Sequence, residues 1–263
     1  MKKDTHNNLI KFGSLVISEL MVLKVIGESK NVEEFLQGQA TSDTSLLSND
    51  CCQLSSICNH KGQVLTDFII YKENDIYKII IKKSLKDIFI DELKPFAQFS
   101  SIKFEEVTQK IIGTITDQKN SNGVFGFNSE YGLKIELKPL NFNLNDQISS
   151  EDWVVANKLQ GILFLEEQDV GKYRPLEINF DKLRVSFDKG CYRGQEIVAR
   201  MKYLGIDRRK FCTFITQDVF DESSDIKILG EIIRVGDKKI FNAIVKKDLM
   251  VDILKLDGIV EVI

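Results

Sequence analysis

The sequence predicts an α+β fold, on two observations. Val64-Leu65-Thr66-Asp67-Phe68-Ile69-Ile70-Tyr71 and Ile76-Tyr77-Lys78-Ile79-Ile80-Ile81 flank the turn-forming Glu73-Asn74-Asp75 and read as a β-hairpin, followed by a helix and more strands. From residue 210 onward the chain breaks into short apolar runs at close spacing, which suggests a small closed barrel or sandwich.

In chain order, Leu20 to Ile26 is an unbroken apolar run closed by Gly27 and predicts a buried strand. Asn31-Val32-Glu33-Glu34 has capping-box spacing, with Phe35 and Leu36 as the apolar face and Gly38 as a stop. Gln37 to Asp43 is rich in amides and hydroxyls, the pattern of a surface turn or of a polar edge facing a pocket. The helix over 84–96 pairs Ser84 with Asp87 at its start, places Leu85, Ile88, Phe89 and Leu93 on one stripe, and ends at Pro95. Strands are expected at 101–107, 110–116, 122–127 and 132–138. A helix over Ser149–Gln160 follows, with Asp152 capping and Gly161 at its end. Residues 162–188 read as irregular, Gln195 to Tyr203 as helical. Six short strands are then expected at 210–217, 226–229, 231–235, 239–246, 249–255 and 258–262.

With 36 basic against 39 acidic residues, the chain lacks the basic excess of a constitutive nucleic-acid binder. Only three prolines occur and no Gly/Ser/Pro-rich linker separates the parts, so any domains pack against one another. The polar N-terminus is not a secretory signal, and no apolar run is long enough to span a membrane. Five irregularly spaced cysteines point to free thiols in a reducing cytoplasm.

The stretch richest in chemistry is Lys189-Gly190-Cys191-Tyr192-Arg193-Gly194-Gln195-Glu196. Its glycines permit backbone angles closed to other residues and let another group approach the main chain. Lys189, Arg193 and a following helix N-terminus would favour the Cys191 thiolate, and a nearby Glu196 would oppose it. The competing reading is a linker with an incidental cysteine. Cys51, Cys52, Cys58 and His60 match no structural zinc spacing and fit strand cysteines better, so no metal is expected. His6 and His60 are the only histidines, which leaves a His-activated nucleophile without positional support. Arg200, Lys202, Arg208, Arg209 and Lys210, with Tyr203 interleaved, suit a solvated face better than a phosphate or RNA site.

KGCYRGQEIVAR closely resembles the signature of the YgfZ family, folate-binding relatives of the glycine cleavage T-protein that include a mitochondrial iron–sulfur assembly factor. The likeness continues through Tyr203-Leu204-Gly205 and Arg208-Arg209. Upstream, Phe35 to Asp43 (FLQGQATSD), Cys58 to Gln63 (CNHKGQ) and Pro175 to Asn179 (PLEIN) resemble family elements in the same order. The resemblance implies a T-protein-like fold around a central opening: a split first domain (1–50 with 140–205) carrying the cysteine motif, a ferredoxin-like domain (51–139) and a C-terminal β-barrel (206–263). It also implies that the cysteine segment lines the opening where tetrahydrofolate binds. Where T-protein-like members end a helix in "E-A-G" with a carboxylate for the pterin ring, this chain has Lys158-Leu159-Gln160-Gly161. An amide at Gln160 is a weaker, uncharged match for paired donors, and its presence argues against aminomethyl transfer.

The expected function is that of a cytoplasmic, monomeric, folate-binding accessory protein rather than an enzyme. It would support iron–sulfur enzymes such as a tRNA methylthiotransferase, and so tRNA modification, without membrane or direct nucleic-acid contact. Cys191 would be the reactive thiol, with Lys189, Gly190, Tyr192, Arg193, Gly194, Gln195, Glu196 and Gln39 at the cofactor. The alternatives are a tetrahydrofolate-dependent one-carbon transferase and a thiol oxidoreductase, for which Cys212 is the resolving cysteine that follows in sequence.

Overall fold

The computed structural model describes residues 7–128, 130–145, 147–205, 208–218 and 225–263. Along the chain run β1 (Gly13–Val16), β2 (Leu20–Ile26), α1 (Ser29–Gln39), β3 (Cys51–Cys58), β4 (Val64–Glu73), β5 (Ile76–Lys82), α2 (Lys86–Phe99), β6 (Lys103–Val107), β7 (Lys110–Thr116), β8 (Val124–Phe127) and β9 (Gly132–Lys138). The second half carries α3 (Ser150–Leu159), α4 (Phe180–Leu183), α5 (Gln195–Leu204), β10 (Arg209–Gln217), β11 (Ile226–Val235), β12 (Lys238–Lys246), α6 (Met250–Ile253) and β13 (Ile259–Val262).

The hairpin expected from the sequence forms the middle of a five-stranded antiparallel sheet, ordered β3-β4-β5-β2-β6. Asn74 and Asp75, both at positive φ, make its turn, which these residue types tolerate best after glycine. Strand β4 is buried along eight consecutive residues because both faces of the sheet are covered. Phe68 and Ile70 face one core with Phe35, Leu36, Phe89 and Leu93 of α1 and α2. Ile69 and Tyr71 face a second core with Ile115, Leu133 and Trp153. That second core belongs to a sheet ordered β1-β7-β9-β8, with α3 against it. A third sheet, β11-β12-β10-β13, encloses Cys212, Phe214, Phe241 and Val245, with Ile253 of α6 packed onto them.

Several local expectations shift. Helix α1 begins at Ser29, without a side-chain cap, and continues through Gly38 rather than stopping there. Helix α2 likewise runs through Pro95 to Phe99, since tertiary packing of Phe89, Leu93 and Ala97 outweighs the single hydrogen bond that proline forfeits. The helix at 150–159 has the expected cap, with Ser149 and Asp152 bonded reciprocally. The runs 226–229 and 231–235 are one strand, β11, bent where Gly230 takes φ +65° and the register slips. The run 249–255 is helical, not a strand. The boundary placed at residue 50 falls within two sheets: β2 inserts between β5 and β6, and β1 pairs with β7. Among the described residues no helix is long and apolar enough to cross a membrane.

One buried ion pair stitches the chain together. Arg184, fully enclosed, pairs with Asp67 of β4 at 3.0 Å. Its guanidinium also donates to Ser55 O of β3, Phe68 O of β4 and Leu163 O beyond α3. Asp67 accepts in turn from Leu165 N at 3.0 Å. Breaking such a pair from one side leaves an uncompensated charge, at a cost of about 3–5 kcal/mol. Asp67→Ala is therefore expected to lower unfolding stability by about that amount in a denaturant titration; a loss under about 1 kcal/mol would show that the pair is dispensable.

Candidate functional site

The polar stretch after α1 turns inward. Thr41, Ser42 and Thr44 are buried, their hydroxyls bonded to Ser56, Ser55 and Gln37 respectively. Asp43 accepts from Ser45 and Gln37, and its carboxyl is held below the usual range first by the Ser45 hydroxyl bond. This segment forms the seat of the cysteine loop.

Lys189 is 8% exposed, and its ammonium donates to Ala40 O at 2.7 Å and Ser42 O at 2.8 Å. Burial pushes its pKa down to about 8, with Asp43 opposing. Arg193 pairs with Glu92 at 3.1 Å and lies over the Phe96 ring. The cations expected to flank the Cys191 thiolate are thus bonded to other groups: one fastens the loop to residues 40–42, the other to α2. Tyr192 is buried, its hydroxyl pushed upward in pKa by burial, and its backbone N–H donates to Gln195 Oε1. Gln195 and Tyr192 fix the turn into α5. Glu196 sits in the first turn of α5 and pairs with Arg200 at 2.9 Å, exposed on both sides.

The two glycines of the loop differ. Gly194 has φ +86°, and a Cβ there would sit 2.3 Å from Asn59 O on the β3–β4 turn. Gly62 of that turn packs reciprocally under Ile197, so loop and turn interlock. Gly190 has open space around it and an ordinary φ, so it provides no close approach of the kind expected. Between them Cys191 stands exposed. It lines, with Gly190, Gln37, Gly38, Ser45 and Tyr77, a hollow of about 480 Å³. Gln39 borders a separate hollow of about 590 Å³ with Phe96 and Phe99, and its Oε1 has no partner among the described residues. His60 lies on the β3–β4 turn, whereas His6 is outside the described residues. Cys212 is buried in the C-terminal core and Cys58 beneath the loop. The basic string after the motif is tied up in part, with Lys202 on Asp181 and Arg209 on Glu177.

A larger hollow, about 970 Å³, lies elsewhere, and residues 189–196 do not line it. The cysteine loop is drawn instead toward α1 and the β3–β4 turn by the Lys189 bonds and the Gly194 contact. The cavity is walled by Trp153, Ile162 and Phe164 and opens between α3 and strands β11 and β12, with Lys82 and Glu166 paired at its edge. Four polar side chains are buried at its wall: Asn157, Lys158, Asp169 and Asn242. Asn157 Oδ1 and Asn242 Nδ2 have no partner among the described residues. Lys158 is pushed down to about pH 8 by burial, with Glu231 opposing. Gln160, the residue standing near the expected carboxylate position, donates to Tyr131 O at 3.1 Å and is not among the cavity's lining residues. The sequence reading passed over Asn157 and Asn242, although an amide within the apolar runs of α3 and β12 was a usable signal.

No family model matches the chain. It is 29% identical over 214 residues to an uncharacterised protein of Haemophilus influenzae, covering 76% of this chain and 72% of that one. It is 26% identical over 242 residues to the tRNA-modifying protein YgfZ of Vibrio atlanticus, covering 83% and 73%. It is 25% identical over 232 residues to the tRNA-modifying protein YgfZ of Photobacterium profundum, covering 78% and 70%. Among solved structures, the glycine cleavage system aminomethyltransferase T of Bartonella henselae superposes with a TM-score of 0.67 at 12% identity, covering 92% of this chain and 80% of that one. The fold is therefore that of the T-protein.

Two outcomes follow from the geometry. Gly194→Ala is expected to lower stability by at least ~1–2 kcal/mol, from left-handed strain plus the clash with Asn59 O, while Gly190→Ala stays within about 0.5 kcal/mol; equal thermal shifts for the two would contradict the interlock. For Lys158 the folded-state pKa lies below its ordinary 10.5, so the unfolded chain binds more protons between about pH 8 and 10.5 and stability contributed by this group rises with pH there. Lys158→Met is accordingly expected to be more stable than the wild type near pH 7, on the order of 1–3 kcal/mol, with the difference closing as pH rises through that window. A pH-independent difference in denaturant midpoints would count against an unpaired, buried ammonium.

Proposed function

We propose that this homologue of the YgfZ proteins, built on the T-protein fold, is a cytoplasmic, folate-binding accessory protein that sustains iron–sulfur enzymes and through them tRNA modification, with Cys191 as its reactive thiol. The observation that carries the reading is the construction of the cysteine loop. Lys189, Tyr192, Arg193 and Gly194 are each tied down or packed, and Cys191 among them is exposed. A loop fixed on both sides of an exposed thiol presents that thiol to a macromolecule at little ordering cost.

The hollow of about 970 Å³ beside α3 supports the folate part of the reading. Its volume falls within the range of small-molecule sites. Trp153, Ile162 and Phe164 in its wall suit a flat ring, and the charged and amide side chains beside them suit its polar edge. Trp153, Asn157, Lys158 and Asn242 are the residues that would hold the group, which when bound supplies one-carbon chemistry. Because Cys191 borders a different hollow, thiol and cavity are suited to separate tasks, which favours an accessory role over a transferase in which both act on one substrate.

In a deletion strain, a Cys191→Ala variant is expected to fold with an unchanged melting temperature and to lose support of tRNA thiomethylation, read by nucleoside mass spectrometry. Full complementation by that variant would sink the thiol role.

A further inference from the structure

Lys158 is a cation buried without a counterpart. It stands in the last turn of α3, 5% exposed, where its carbonyl oxygen accepts from the Thr213 hydroxyl at 2.7 Å. Among the described residues its Nζ has no hydrogen bond or ion pair. It is not one of the sealed polar atoms, however, and keeps surface that water can reach on the wall of the hollow beside α3. A Cβ added to Gly230, where β11 bends, would lie 4.0 Å from Nζ, so the side chain reaches from the helix toward the bulged strand. Burial favours the neutral amine, Glu231 of β11 opposes without pairing, and Lys82 adds to burial. An unpaired buried charge costs stability, and an unbranched apolar side chain would fill the same space, so packing does not call for a lysine.

Two uses suit such a group: pairing with an anionic ligand, or attack by the free amine on a carbonyl carbon. The lining decides between them. Glu19, Glu166, Asp169 and Glu231 border the hollow against Lys82 and Lys83, so even with Lys158 counted the cations are outnumbered, and Lys82 is already paired with Glu166. An anion seated on Lys158 meets that excess of like charge, whereas a neutral electrophile does not. We infer that this hollow is a carbonyl site in which Lys158 Nζ condenses with an aldehyde borne on a flat or apolar body, lodged against Trp153 and Phe164. The nitrogen lone pair forms the C–N bond while the carbonyl oxygen takes up a proton. The carbinolamine then loses that oxygen as water, which carries away both hydrogens of the free amine and leaves an imine. Neither carbon nor nitrogen changes oxidation state, so the reversible step needs no oxidant or reductant.

Benzaldehyde with sodium cyanoborohydride tests this on the intact protein. Hydride from the reagent turns the imine into a stable secondary amine, which peptide mass spectrometry locates and separates from any adduct at the N-terminal amine. At pH 7 Lys158 is expected to be labelled at least about tenfold faster than the exposed lysines, because about a tenth of it is unprotonated against less than about a thousandth of theirs. Lys189 is the internal control. Burial pushes it down to about 8 as well, but its ammonium is bonded to Ala40 O and Ser42 O and it does not line the hollow, so it is expected to stay unlabelled. Lys158→Met is expected to lose the adduct while thermal unfolding shows that it folds. No adduct at Lys158 in the wild type would overturn the assignment. So would equal labelling of Lys158 and Lys189, which would make lowered basicity rather than the hollow the cause. The condensation requires no folate, so those results leave the folate reading in place, and failure of folic acid to bind leaves the carbonyl site in place.

Discussion

Arg184 carries its charge into a region that water does not reach, and the chain is arranged so that this charge is met from several directions. Asp67 supplies the counter-charge, and carbonyls from β3, β4 and the segment after α3 accept from the guanidinium's two terminal nitrogens. The peptide oxygen of Arg184 accepts from the Thr41 hydroxyl, and Ser186 N donates back to Thr41 O. Three stretches far apart in sequence are thereby fixed at one point. The cysteine loop begins a few residues later, and its first bonded residue, Lys189, reaches carbonyls on either side of Thr41. Where the thiol stands is consequently a downstream result of satisfying one buried cation.

That arrangement also separates two kinds of chemistry. The seat of the loop is polar, made of hydroxyls bonded to one another and of backbone carbonyls that accept from Lys189. The hollow beside α3 is mixed: Trp153, Ile162 and Phe164 stand among charged side chains, with buried polar atoms left unmet nearby. Filled hydrogen bonding holds a group in position, and unfilled hydrogen bonding selects what may enter. The two hollows share no lining residue.

Most strands and the four helices of ten or more residues were legible in the sequence because their signals are local: the apolar runs of β2, β4 and β5, the cap at Ser149 and Asp152, and the glycine after α3. The helix ends at Gly38 and Pro95 were misplaced because packing of neighbouring apolar side chains overrode a local stop signal. The short runs after residue 225 looked like separate strands because a glycine bend and a turn break have the same composition. At the site, Cys191 and the positive φ of Gly194 could be read from the motif, but the partners of Lys189 and Arg193 could not, since they come from Ala40, Ser42 and Glu92, which sequence spacing does not bring near. Asn157 and Asn242 stand in the sequence as amides within apolar runs, but the groups they meet are set only in three dimensions.

The contact between Gly194 and the β3–β4 turn joins a late segment of the chain to an early one. On a ribosome, the turn emerges long before the loop that must close over it, and until α5 follows, nothing holds the cysteine in its presented pose. Correct display of the thiol is therefore a property of the finished chain, so a truncated or half-folded copy would carry the same cysteine without offering it in the same way.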